Sequence, residues 1–331
     1  MNILIVGSVP STSYNDEELL VKGIAENLVN KGHTVDDFLL PFKNGILSAP
    51  DQFFAYQLVN VNAAELLITV GYPAHIIPHD NKIVYLFDTL PDLFDYFDPS
   101  LTPLGTDQKL NIKESLMKIE RHSLKKAKSI FCSSNLLCND FRIRYNIETH
   151  VLYPPCLPVK NIEYLDQINK FSHAGYFVTE SVLTPETRVM DFLEEFKTLE
   201  NPLFVFVPSA DETFYGAINR LINKFELTDK VILMNGNLSN DIIKNALAYL
   251  HFDNNTRRMK GSIVRCLNIG IPVVYTNDCG GAHDLLKDYK QAFESNINKF
   301  VSDCNRLNKR RANKLTPSPI AMENFIERLV D

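Results

Sequence analysis

Residues 249–281 read YLHFDNNTRRMKGSIVRCLNIGIPVVYTNDCGG. Positions 249–252 suit a short buried strand, and 262–269 a buried helix that Gly270 stops. Positions 272–276 then start a second strand. A short apolar strand, a helix and another strand, in that order, predict a parallel sheet with covered faces. The loop between is unusual, because Arg257, Arg258, Lys260 and Arg265 crowd the helix entrance. The amino end of a helix already carries unpaired N–H groups and partial positive charge. Cations collected there call for an anion.

The same alternation runs outward through the chain. Upstream, strands are expected at 2–6, 34–40, 66–70, 82–87, 129–133 and 151–153. Helices are expected at 17–31, 112–127 and 135–145, the first carrying Leu20, Ile24 and Leu28 at helical spacing. The pattern breaks at the rigid stretch Tyr153-Pro-Pro-Cys-Leu-Pro158 and the polar segment 159–171. A second series begins near Phe171, with strands at 204–207 and 230–234, helices at 214–225 and 241–248, and a further helix from His283. The division is therefore 1–157, 158–314, and a C-terminal helix within 315–331 that packs back on the first domain. The fold class is α/β, two doubly wound Rossmann-like domains facing across a cleft at the carboxyl ends of both sheets, where such folds bind ligands.

Bulk properties narrow the function. The net charge of −6 argues against a general nucleic-acid binder, which is usually basic. No apolar run approaches the roughly 18 residues that a membrane span needs. The opening MNILIVGSVP has no basic start and no cleavage site, and reads as a first strand. Six cysteines show neither a CxxC pair nor zinc spacing; Cys132, Cys266 and Cys279 lie in apolar segments as buried thiols, which fits a reducing cytoplasm.

Several stretches together resemble glycosyltransferase family 4, retaining sugar-nucleotide transferases of the GT-B fold. They are MNILIV with LLVKGIAENLVNKGHTV, LLITVGYPAHIIPHDNKIVYLFD, SIFCSSNLLCNDFRIRYNIETHVLYPPC with its Tyr-Pro-Pro hinge, and GIPVVYTNDCGG. The resemblance covers most of the chain in order. It implies a UDP- or GDP-sugar donor held by the second domain, no other cofactor and no metal, and a glycan or lipid-linked acceptor. Where the family has a Gly-Gly turn after the first strand, this chain has residues 11–16 with no glycine, and Tyr14 and Asp16 in its place. The family's Gly-Arg and following lysine match Gly175-Tyr176 and Thr187, so both cations are missing, with Arg188 beside the second position. The family's two glutamates eight positions apart match Arg257 and Arg265. Arginine has no acceptor lone pair and cannot take hydrogen bonds from ribose hydroxyls.

These departures suggest a displaced anion site. Arg188, Arg257, Lys260 and Arg265, the backbone and capping hydroxyl of Gly261-Ser262, and the turns at Gly175 and Gly280-Gly281 would hold the donor. The competing reading is a solvated basic loop, with Arg265 satisfied by a structural aspartate such as Asp278 or Asp284. Asp88, closing the strand IVYLF, is the candidate for orienting an acceptor hydroxyl, with Asp92 and Asp95 following as solvated carboxylates. His75 and His79 read as turn or surface histidines. The basic stretch 306–314 is a helix face and a candidate contact with an anionic inner membrane surface. Two functions fit: a metal-independent retaining glycosyltransferase, or a catalytically silent GT-B protein serving as binding or regulatory subunit of an active glycosyltransferase.

Overall fold

In the computed structural model the chain forms two units, Met1–Pro155 with Met322–Asp331, and Cys156–Ala321. The structure describes all residues except 11–15, 44, 46, 90–105, 160–163, 165–167, 169, 172, 173, 182–187, 209–211, 254–256, 291, 296–298, 309–320 and 331. Tyr14, Asp92, Asp95, Thr187 and most of the basic stretch 306–314 therefore lie outside the described residues.

The first unit is built on a parallel sheet of β1 (Asn2–Pro10), β2 (Thr34–Phe42), β3 (Leu66–Val70), β4 (Lys82–Leu86), β5 (Ser129–Cys132) and β6 (His150–Val151), in the order β2-β1-β3-β4-β5-β6. Its helices are α1 (Asp16–Asn30), α2 (Ala49–Gln57), α3 (Thr106–Lys125) and α4 (Asn135–Tyr145). Helices on both faces explain why β3 and β4 are buried along their whole length. One of those buried residues is Lys82. Its ammonium donates to the carbonyls of His75 and Ile77 at 2.7 and 2.9 Å and to Ser123 Oγ at 2.9 Å, so the charge is hydrogen-bonded rather than stranded. His75 is fully buried beside the equally buried Glu120, 3.0 Å away, and is thus a core residue rather than a surface one. His79 ties the 79–81 turn to Ala64.

The second unit repeats the plan. Its sheet holds β7 (Phe177–Glu180), β8 (Leu203–Val207), β9 (Val231–Asn235), β10 (Ala248–His251), β11 (Val273–Thr276) and β12 (Ala292–Ser295), ordered β12-β11-β10-β7-β8-β9 and parallel throughout. The helices are α5 (Val189–Phe192), α6 (Glu212–Lys224), α7 (Asn240–Asn245), α8 (Gly261–Ile269), α9 (His283–Leu286) and α10 (Phe300–Asn308). Gly270 ends α8 in the left-handed region at φ 85°, and its N–H closes on Cys266 O. The sequence does not announce α2 or β12, which are short, and the helix face expected at 306–314 overlaps only the last turn of α10.

The last helix, α11 (Met322–Val330), belongs to the first unit. Phe325, Ile326 and Leu329 are buried, and the Phe325 ring meets Tyr85 edge-on with centroids 5.2 Å apart. Arg328 donates to the Val151 carbonyl at 3.0 Å, which ties the end of the chain to the edge strand. Truncating a buried aromatic costs about 3–5 kcal/mol. Phe325→Ala should therefore destabilise the first unit by that order, read as faster hydrogen exchange at β4 and β6 amides with β8 and β9 unchanged.

Candidate functional site

The chain lays down β7, β8 and β9 in one direction and then returns to place β10 on the other side of β7. Crossovers on the two sides of this reversal leave a crevice at the carboxyl ends of β7 and β10. Three segments contribute side chains to it. β7 ends in Glu180 and Ser181. β10 ends in His251, with Asp253 two residues on. Helix α8 adds Lys260, Ser262 and Arg265. The end of β11 brings Thr276, Asp278 and the Gly280-Gly281 turn.

These groups form one buried polar network. Glu180 Oε1 accepts from the Leu238 N–H at 2.9 Å, and Oε2 accepts from Arg265 Nη2 at 3.3 Å. The same guanidinium nitrogen donates to Leu238 O at 3.1 Å. Lys260 Nζ donates to the Glu180 carbonyl at 2.9 Å and to the Asp253 carboxylate, whose other oxygen accepts from Ser181 Oγ at 3.3 Å. Tyr249 Oη sits 3.1 Å from Ser262 Oγ. Arg265 is 1% exposed and Lys260 7%, so both cations spend their charge on Glu180 and Asp253 inside the unit. The helix entrance meets its anions within its own fold. Burial alone pushes the Asp253 carboxyl up, but Lys260 and His251 bring it below the ordinary carboxylate value. Burial drives His251 down to about 4, which leaves the ring neutral.

Several sequence expectations need correction. Arg265 finds its acceptor in Glu180, not in Asp278 or Asp284. Ser262 does not cap α8; the N-cap residue is Lys260, and the Ser262 hydroxyl turns to Tyr249. Gly175 precedes β7, at the amino end of the sheet, where a Cβ would strike Leu247 at 2.7 Å; it serves packing and sits at the wrong end of the strand for a donor. Tyr176 is likewise a core residue, its hydroxyl donating to Ile242 O at 2.8 Å. The residue that β7 delivers to the carboxyl edge is Glu180. An acidic residue closing an otherwise apolar parallel strand was the signal for it.

The other expected residues fall as follows. Arg188 opens α5 with Nη1 on Asp278 Oδ2 at 2.6 Å and Nε 3.3 Å from Asp191, its guanidinium 5.5 Å from the Phe192 ring. Arg257 is half-buried immediately before α8. Gly280, at φ 65°, opens a 3₁₀ turn to Ala282. Asp88 belongs to the first unit, half-buried, with Oδ1 accepting the Thr89 N–H at 2.8 Å. A cavity of about 420 Å³ opens at the carboxyl ends of β8 and β9, lined by Val207, Pro208, Glu212, Tyr215, Asn235 and neighbouring glycines.

No family model matches the chain, and no curated protein does. Solved structures do. Anabaena Alr3699/HepE, in complex with UDP, has a TM-score of 0.62 at 12% identity, covering 99% of this chain and 98% of that one. WaaG, a glycosyltransferase of lipopolysaccharide biosynthesis, has a TM-score of 0.62 at 14% identity, covering 98% and 94%. A glycosyltransferase from Rickettsia africae ESF-5 has a TM-score of 0.59 at 11% identity, covering 99% and 96%. These likenesses establish the fold as GT-B, two Rossmann-like α/β units.

The buried pairs make two predictions. Arg265→Glu sets a carboxylate against Glu180 and should cost about 3–5 kcal/mol, since breaking a buried pair leaves an uncompensated charge. The exchanged variant Glu180→Arg/Arg265→Glu should recover part of that loss in urea unfolding followed at second-unit amides. The second concerns pH. The ordinary histidine value is 6.5 and His251 in the fold titrates at about 4, so between these limits the unfolded chain binds more protons. Stability from this group is complete above pH 6.5 and falls by about 3 kcal/mol on acidification to pH 4. The Asp253 loss comes only below pH 3.8. His251→Gln should lack the 6.5-to-4 component while keeping the rest of the acid transition.

Proposed function

We propose that this chain binds a nucleotide-diphosphate sugar at the carboxyl edge of the second unit's sheet and transfers the sugar to a hydroxyl acceptor, with retention and without a metal. The observation that carries this reading is a buried, charge-dense network at the β7/β10 reversal of a GT-B fold. UDP is favoured over GDP because Alr3699/HepE was solved with UDP and with UDP-glucose. In this reading Lys260 and Arg265 shape the site rather than hold phosphate. The diphosphate falls to Arg188, Arg257, the backbone N–H groups at the start of α8, and the close-approach turn Gly280-Gly281. Fixed positive groups there act where charge develops on the departing diphosphate. Asp88 is the candidate to orient the acceptor, a glycan or lipid-linked hydroxyl. No described helix is long and apolar enough to cross a membrane.

A second reading has its own support. Three of the cations expected for the donor are engaged by Glu180, Asp253 and Asp278. That closure suits a GT-B protein that has given up donor chemistry and acts as a subunit of an active glycosyltransferase.

Titration calorimetry with UDP and GDP, with EDTA and with Mg²⁺, separates the two. The enzyme reading expects metal-independent binding of one nucleotide and about tenfold weaker binding by Arg257→Ala, the size of one lost charge-assisted hydrogen bond. Binding by neither nucleotide, together with co-purification of a second glycosyltransferase, would instead establish the silent subunit.

A further inference from the structure

On the first unit α2 and α3 lie side by side and leave a groove of about 290 Å³ between them. Pro50 and Phe54 wall it from α2, Ile112 and Ile119 wall it from α3, and the buried Leu116 is its floor. The Phe54 ring lines the groove on one side yet is 63% exposed. Leu58, one turn on and on the same side of α2, is 67% exposed, and Leu47, just before the helix, is 49% exposed. Large apolar side chains held in water beside an apolar groove mark a surface made to be covered.

Charge selects what covers it. Residues 118–128 read KIERHSLKKAK, with five cations and one acid. The acid is Glu120, which is buried against His75 and Tyr145. Lys118, Arg121 and Lys125 recur at helical spacing as one exposed stripe of α3, and Lys126 and Lys128 follow, also exposed. Among the described residues none of these five forms an ion pair. Ser115, on the lip of the groove, stands one turn before Lys118, so the stripe runs on from the groove's edge. The exposed acids of the two helices, Asp51, Asp107 and Glu114, lie in their amino halves. A chain of net charge −6 thus carries a local surplus of cations beside its apolar groove.

We propose that this face of the first unit docks on a bilayer of anionic lipid, with Leu47, Phe54 and Leu58 entering the hydrocarbon boundary and the α3 cations meeting the headgroup phosphates. Such a surface offers anions at its boundary and hydrocarbon beneath, which matches cations set beside protruding apolar side chains. The long stems of lysine and arginine keep their charged ends at the headgroups while the apolar residues sink. An acidic polypeptide would answer the cations without burying Phe54 and Leu58. Docking is independent of donor binding, which belongs to the other unit.

The chain contains no tryptophan, so Phe54→Trp introduces a single fluorescent reporter on this face. Vesicles of phosphatidylcholine alone are compared with vesicles holding about 30% phosphatidylglycerol, plain and brominated on the acyl chains. Binding of the full chain is read by co-sedimentation and insertion by the emission of Phe54→Trp. The expected result is binding to the anionic vesicles, about tenfold weaker when salt rises from about 0.1 M to about 0.5 M. Emission of Phe54→Trp should shift to the blue and be quenched by the brominated chains. Lys118→Gln/Arg121→Gln/Lys125→Gln should weaken binding about a hundredfold, at about fivefold per cation. Phe54→Ser/Leu58→Ser should weaken it about tenfold or more. Both variants should keep the melting temperature, because every changed side chain is exposed. Vesicle binding that survives the triple change, that leaves Phe54→Trp emission unmoved, or that is lost instead on neutralising the basic stretch 306–314 overturns the proposal, as docking by another face. Equal binding to phosphatidylcholine alone also overturns it. Failure to bind any vesicle overturns it too, and poly-glutamate bound in their place would assign the face to an acidic protein.

Discussion

The second unit depends on burying four charges at one strand reversal. Glu180 and Arg265 face each other almost without exposure, and Asp253 and Lys260 do the same one layer away. Bringing these groups out of water costs several kcal/mol per ion, and only full hydrogen bonding offsets it. The structure supplies partners from the backbone as well as from side chains. Leu238 gives both its N–H and its carbonyl, and the Glu180 carbonyl takes Lys260. The loop after β9, the end of β7 and the start of α8 are thereby locked to one another. The crevice at this reversal is therefore walled by a braced junction.

That bracing changes what the basic residues can do. Four cations near one helix entrance read as a surplus, but the fold balances two of them with carboxylates from β7 and from the segment after β10. The carboxylate that meets Arg265 arrives from Glu180 at the end of β7. At the rim Arg188, which opens α5, pairs with Asp278 in the turn after β11.

Much of the architecture was legible in the sequence because it rests on repeating signals. LLITV and KIVYL are mostly apolar, as doubly covered strands are, and Gly270 stops α8. The site was only partly legible. Arg265 and Lys260 drew attention as cations at the entrance of an apolar helix, and Arg188 only through its place beside Thr187. Glu180 and Asp253 were missed because one charge at a strand end looks like an ordinary solvated terminus. Gly175-Tyr176 attracted attention as a motif, although β7 begins only at Phe177, so the motif lies at the far end of the strand. Motif matching fixes order along the chain, but not which end of a four-residue strand a residue occupies.

The two functional readings differ over the same fact, the closure of Lys260 and Arg265 on internal carboxylates. A protein released from donor binding has no need to maintain a buried four-charge junction, since well-packed apolar residues of similar volume do as well or better for stability. A scaffold would shed that junction in favour of an apolar core, like the one at Tyr176 and Phe204, whose rings pack at 5.5 Å on the same sheet. Retained polarity at the carboxyl edge, with apolar packing at the amino edge, is the distribution a ligand-binding sheet requires, and it weighs toward a site in use.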